Sequence, residues 1–193
     1  PPRNTEENHA VEAWADLTDQ QQELFARYQE LYAAMVDNID QNFGRLRQEL
    51  EAIGEWDNTV VVFLSDNGGS REGNQNGTSS YFRTMSGRTT GGSPFESLDD
   101  DYGRLNNMGG PQTLPHYPMG WAMASGTPFR LYKINTHQGG HQVPFIISRG
   151  AGLADGGGLR TQYQHVTDLL PTIFDLAGLP VPTERHGQNA PQP

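Results

Sequence analysis

The 193-residue chain contains no cysteine. That absence excludes a disulfide framework, a thiolate nucleophile and Cys-ligated zinc, and it assigns no compartment. Positive charge is also scarce, with 13 Lys+Arg against 23 Asp+Glu and a formal net charge of −10. A surface that displaces counterions from nucleic acid needs a basic patch, and this balance offers none. It does suit a local cation site. No apolar run approaches the roughly 18 to 20 residues of a membrane span, and the opening residues do not resemble a signal peptide. The hydrophobic share is low at 34%, with 23 Gly and 13 Pro, a loop-rich composition for a free-standing domain. The length suits one good core rather than two domains. The stretch from Pro1 to Trp14 starts without methionine and lacks periodicity, so it reads as the inside of a longer protein, with any targeting segment upstream of Pro1.

What is present concentrates at 58–69. Val60, Val61, Val62, Phe63 and Leu64 form a continuous apolar run, which predicts a central strand buried on both faces, as in the middle of a parallel or mixed sheet under helices. Ser65, Asp66 and Asn67 follow, then Gly68 and Gly69, which let the backbone turn sharply and approach a ligand. The carboxyl end of a strand is where open α/β sheets bind ligands. Asp66 and Asn67 offer a carboxylate and an amide oxygen side by side, a hard-oxygen pair suited to Ca²⁺ or Mg²⁺. Calcium takes about six to eight oxygens, so most of the shell has to come from elsewhere. The alternative is a hairpin at Asn67-Gly68, but residues 70–77 supply no alternating return strand.

Before this strand, Thr18 and Gln21 fit a capping box, and Phe25, Tyr28, Tyr32, Met35, Ile39, Phe43, Leu46, Leu50 and Ile53 recur at steps of three and four. Gly54 is placed to end the pattern. This predicts a helix over 15–54, roughly 50 Å long, lying on the sheet rather than forming a coiled coil, whose seam Tyr28, Tyr32 and Phe43 would fill poorly. Residues 70–127 read as a long polar, Gly-rich loop, with Asp99-Asp100-Asp101 as a solvated acidic face. Order returns over 128–182. Lys133 lies on the approach to Gly139-Gly140 with His137 and His141 nearby, Val143–Ser148 reads as a second buried strand, and 168–177 as a short helix closed by Gly178. Residues 183–193 read as a loosely held tail. The expected class is α/β, a mixed, mostly parallel sheet flanked by helices.

Taken in order, Asn58-Thr59 through Asp66-Asn67-Gly68, Thr127 to Lys133, Gly139 to Phe145 and His165 to Thr172 resemble the second half of the catalytic domain of the formylglycine-dependent arylsulfatases, in the alkaline phosphatase-like superfamily. The resemblance covers nearly the whole chain outside the loop. It implies that Asp66 and Asn67 are calcium ligands, with magnesium the alternative, and that Lys133 contacts the sulfate of a small sulfate ester or sulfated sugar. It implies a substrate-side role for His137. For His137 and His141 a structural hydrogen-bonding role stands beside that reading, and for His165, just before a helix, it is the favoured one.

The departures are specific. Gln138 stands where such proteins commonly have Glu before the paired glycines, so a charge that would orient Lys133 is missing. Formylglycine is made from Cys or Ser in a Cys/Ser-x-Pro-x-Arg motif, and the nearest look-alike, Gly126-Thr127-Pro128-Phe129-Arg130, begins with glycine. The resemblance therefore implies that the nucleophile and two further aspartate ligands belong to a missing N-terminal half, and that this chain alone does not turn over. A phosphomonoesterase or phosphodiesterase of the same superfamily is a second reading, although those enzymes often pair the strand-end Asp with His, which suits zinc or manganese. A non-catalytic interaction module is a third.

Overall fold

The computed structural model describes residues 11–83, 86, 97–185 and 187–189. The chain divides into two compact units, residues 1–50 with 63–146 and residues 51–62 with 147–193, where composition suggested one core.

Helix α1 (Asp19–Ala52) has 34 residues. Its start is fixed reciprocally, as the capping box requires. The Gln21 N–H donates to Thr18 Oγ1 at 3.2 Å and the Thr18 N–H to Gln21 Oε1 at 3.0 Å. Gly54, at φ +75°, follows its end in the left-handed region. Only the first half of the apolar stripe is buried. Leu24, Phe25 and Tyr28 pack in a cluster with Met108, Tyr117, Met119, Ala122 and Tyr132, whereas Met35, Val36, Ile39 and Leu46 are exposed. The cluster contains no strand residue, so the core partner of α1 is the segment after the glycine turn rather than a sheet. Each large side chain buried there contributes roughly 1.5–3 kcal/mol.

That segment, expected to be a loop, supplies much of the first unit's core. It carries α2 (Leu98–Tyr102), a 3₁₀ turn at Leu105–Asn107 and α3 (Met119–Ser125). The acidic run is not a uniformly solvated face. Asp100 completes a capping box with Ser97, Asp99 accepts from Gln20 Nε2 at 3.0 Å, and buried Asp101 accepts the Ser79 N–H at 2.9 Å. Carboxylates in a first helical turn face its unsatisfied N–H groups, which is why three of them gather here. Residues 84, 85 and 87–96, within the same expected loop, lie outside the described residues.

Strands β1 (Val60–Leu64) and β2 (Phe145–Arg149) pair with each other. In the first unit the Ser65 N–H donates to the Pro144 carbonyl, and in the second the Gly150 N–H donates to the Thr59 carbonyl. One strand's numbering rises as the other's falls, so the pair is antiparallel. The mostly parallel sheet expected from the apolar run does not appear among the described residues. Neither strand is buried on both faces: Phe63 and Leu64 are exposed, as are Phe145 and Ile146. A Val-rich run specifies extended backbone; it does not specify how many strands and helices cover it.

In the second unit a 3₁₀ turn at Val166–Asp168 leads into α5 (Leu169–Leu176), with Gly178 at φ +68° after it. The expected loose tail instead forms a short antiparallel pair, β3 (Glu184–Arg185) with β4 (Gln188–Asn189), in register Glu184↔Asn189 and Arg185↔Gln188. Residues 186 and 190–193 lie outside the described residues. No described helix is long and apolar enough to cross a membrane.

Candidate functional site

The site is an interlock of backbone from three parts of the first unit: the turn after β1, the chain leading into α3, and the Lys133 turn with α4 (Gln138–His141). The Gly68 N–H donates to the Gly140 carbonyl at 3.0 Å, and the Lys133 N–H to the Gly69 carbonyl at 3.0 Å. Glycine is required by space. A Cβ on Gly68 would lie 1.7 Å from the Gly139 carbonyl oxygen, one on Gly139 2.1 Å from the Leu131 oxygen, and one on Gly140 2.1 Å from the Asn135 oxygen. No second strand folds back after Asn67-Gly68, and the hairpin alternative is set aside.

The turn that presents Lys133 is strained. Leu131 at φ +62° and Ile134 at φ +83° occupy the left-handed region, which is unfavourable for side chains of this kind and for a β-branched one above all. Burial of the intervening anchor offsets this. Tyr132 is 0% exposed and donates its hydroxyl to Met119 Sδ at 3.6 Å, and the Gly139 N–H closes the turn on the Arg130 carbonyl at 2.9 Å.

Lys133 does not stand alone. Its Nζ lies 2.9 Å from Glu72 Oε1, with the two side chains 37% and 19% exposed. Burial pushes the Glu72 carboxyl up, but the Lys133 hydrogen bond and its own backbone N–H outweigh this and hold it below the ordinary glutamate range. The Glu72 hydrogen bond raises Lys133 above the ordinary lysine value against a smaller opposing push from burial, and the charges of Glu72, Asp66 and Tyr81 add to the rise. Both groups are therefore charged at neutral pH. A lowered carboxylate loses its stabilising contribution as pH falls through its folded value, and a raised ammonium loses its own as pH rises through its folded value. The stability difference between wild type and Glu72→Gln should then be flat from roughly pH 5 to 9 and shrink outside that window, as read by urea unfolding across pH.

Asp66 is exposed and Asn67 half-buried. Asn67 Nδ2 donates to the Gly68 carbonyl at 2.8 Å and Ser65 Oγ to the Asn67 carbonyl at 2.8 Å, which fixes the amide and leaves Oδ1 as its free donor atom to a cation. The pair fits a hard cation as two of its ligands. Among the described residues no group of three or more His, Cys, Asp or Glu side chains is arranged to hold a metal, so these two do not complete a shell.

His116 belongs to the same polar group. Its Nδ1 is 2.9 Å from the Tyr117 carbonyl, which only accepts, so Nδ1 carries the proton. In the neutral ring, Nε2 then accepts from Ser70 Oγ at 2.8 Å. Glu72 Oε2 lies 3.8 Å from the same nitrogen. Among the described residues, neither His137 nor His141 takes part in these contacts. His137 precedes α4 as its N-cap without a side-chain capping bond and is exposed, as is His141. His165 caps the 3₁₀ turn at Val166–Asp168 by accepting the Thr167 N–H at 3.4 Å.

With this geometry in place, comparison with known proteins is decisive at the level of family. The sulfatase family model matches residues 4–179. The chain is a member of the sulfatase family. That membership places it in the α/β class. It is 36% identical over 172 residues to an uncharacterised sulfatase of Schizosaccharomyces pombe, covering 89% of this chain and 29% of that protein. It is 30% identical over 167 residues to the arylsulfatase of Klebsiella aerogenes, covering 86% of this chain and 33% of that enzyme. A sulfatase of Formosa agariphila is 26% identical over 162 residues, covering 80% of this chain and 20% of that protein. The sulfatase chain described here thus spans a third or less of the length of these relatives.

Sequence reasoning missed Glu72, His116 and Ser70. The carboxylate beside Lys133 is that of Glu72, from another segment, and Gln138 makes no side-chain hydrogen bond among the described residues. Nothing local marks Ser70-Arg71-Glu72-Gly73 as more than a polar linker. The one clue is Gly73, buried with its Cβ position 2.1 Å from the Tyr117 carbonyl oxygen, and burial is invisible in a Gly-rich run.

Proposed function

We propose that this chain forms part of the active site of an arylsulfatase-type sulfuric ester hydrolase. The observation that carries this reading is the convergence of Asp66, Asn67 and Lys133 on one glycine interlock, with the Asp66 charge acting on the Lys133 ammonium, in a member of the sulfatase family. The substrate class is a sulfate ester of a small molecule or a sugar. Asp66, through its carboxylate, and Asn67, through Oδ1, hold Ca²⁺, with Mg²⁺ the alternative. When bound, the cation supplies positive charge beside the sulfate oxygens. Lys133 donates to a sulfate oxygen and stabilises the charge held on the sulfate oxygens in the transition state, while the electron pair of the breaking ester S–O bond leaves on the alcohol or phenol oxygen. Gly68, Gly139 and Gly140 keep the backbone that carries Asp66, Asn67 and Lys133 in fixed relation. The formylglycine nucleophile and the remaining cation ligands come from polypeptide beyond this chain, and the missing N-terminal half of the same protein is its first partner.

The test is a paired assay on the full-length enzyme with an aryl sulfate and the matching aryl phosphate. The expected result is a kcat/KM at least about tenfold higher for the sulfate, a difference of roughly 1.4 kcal/mol in transition-state binding, with no turnover by this chain alone. Preference for the phosphate would assign a phosphoesterase. Hydrolysis of neither ester would leave a non-catalytic interaction module.

A further inference from the structure

Backbone geometry places Lys133, but a lysine side chain retains many rotamers beyond its Cα, and a strained turn does not fix where the ammonium points. Glu72 does what the turn does not. Its Oε1 accepts a hydrogen bond from Nζ at 2.9 Å, and its position is itself fixed from behind. Gly73 brings the chain against Tyr117 and His116, where a Cβ would meet the Tyr117 carbonyl oxygen at 2.1 Å and His116 Nδ1 at 2.9 Å. The Ser70 N–H donates to the Tyr117 hydroxyl at 3.1 Å, and Ser70 Oγ holds His116 at 2.8 Å. Among the described residues, Glu72 Oε2 is buried without a hydrogen-bond partner. A buried carboxylate oxygen in that state is unfavourable, so the carboxylate stays where it is because its surroundings and the Lys133 contact hold it there. A residue kept at such a cost, next to the cation of a proposed anion site, is a candidate for function.

We propose that Glu72 is a positioning residue for Lys133: accepting the ammonium on Oε1 from a segment packed against Tyr117 and His116, it fixes the direction from which Lys133 meets a substrate sulfate. This rests on the sulfatase reading above for the identity of the anion, while the Glu72–Lys133 arrangement stands by itself. The arrangement carries its own distinguishing mark. A carboxylate beside an anion site opposes anion binding, so removing it for purely electrostatic reasons would tighten binding and leave turnover alone. Removing a positioning group leaves KM level or lower while kcat falls.

Two experiments separate the proposal from the reading it rests on. In this chain, the Lys133 side-chain resonances, assigned through Lys133→Arg, are followed by NMR against pH in wild type, Glu72→Gln and Glu72→Ala. Glu72→Ala should move the Lys133 titration to lower pH and accelerate exchange of its ammonium protons. Unchanged Lys133 signals in a folded Glu72→Ala chain would overturn the proposal whatever the enzyme hydrolyses. In the full-length enzyme, Glu72→Ala should lower kcat on an aryl sulfate by about 100-fold, the scale expected for an ångström of misplacement, with KM level or lower. Glu72→Gln, whose amide oxygen still accepts from Nζ, should recover to within about tenfold of wild type, and Glu72→Ala should add little to Lys133→Ala. Equal losses in Glu72→Gln and Glu72→Ala, or full additivity with Lys133→Ala, would overturn it. Should Lys133→Ala leave turnover intact, the sulfate role of Lys133 fails, and the NMR result alone decides whether Glu72 positions it.

Discussion

Replacing Gly68 with alanine should destabilise the first unit by roughly 3 kcal/mol or more, at or beyond the upper end of ordinary overpacking costs. The new Cβ would lie 1.7 Å from the Gly139 carbonyl oxygen, 2.8 Å from its carbon and 3.2 Å from Gly140 Cα. All three neighbours are backbone, so no side chain can swing aside. Relief requires the turn after β1 to withdraw from α4, which breaks the Gly68 N–H bond to the Gly140 carbonyl and carries Asp66 and Asn67 away from Lys133. At this chain length the thermal midpoint should fall by roughly 6–12 °C. Gly44→Ala is the matched control. Gly44 lies inside α1 with nothing within 4 Å of its Cβ position, and there the same substitution should stabilise by about 0.5–1 kcal/mol. Thermal unfolding followed by circular dichroism reads both signs. An unaltered midpoint in Gly68→Ala would mean that the two backbones do not meet as described.

Lys133→Ala should lower kcat for sulfate ester hydrolysis by the full-length enzyme by roughly 100- to 1,000-fold, the range for losing one preorganised donor to a developing oxyanion. Lys133→Arg should recover only part of this, because a planar, forked guanidinium does not reproduce the point at which a compact ammonium meets the sulfate and Glu72 together. The comparison is made by steady-state kinetics at saturating substrate, with circular dichroism confirming the fold of each variant. Turnover of Lys133→Ala within about threefold of wild type would remove Lys133 from the chemistry.

These effects turn on residues that were unequally legible in the sequence. Signals that act over a few positions read directly. Thr18 and Gln21 fixed the start of α1, Gly54 followed its end, the Val run marked β1, and Gly178 followed α5. Long-range arrangement did not read in the same way. The apolar stripe of α1 continues past Tyr28, yet only Leu24, Phe25 and Tyr28 enter the core, because burial depends on what lies opposite and periodicity records only a face. The stretch from 70 to 127 has the composition of a loop, but its glycines are placed for close backbone contact and its Met108, Tyr117, Met119 and Ala122 are core. Asp66, Asn67 and Lys133 could be singled out by chemistry and order. Glu72 and His116 could not, since an acid or a histidine in a polar run looks the same whether it faces water or closes on a partner far along the chain.

The interlock has a consequence for how the molecule assembles. The bonds that tie Ser70 to Tyr117 and His116 join positions 47 and 46 residues apart, and the Gly68–Gly140 bond closes a longer span still. Chain entropy opposes such closures until several form together. The working corner of this protein should therefore appear in one late, cooperative event, after α1 has formed, and a short peptide carrying 58–69 alone would hold neither cation nor anion.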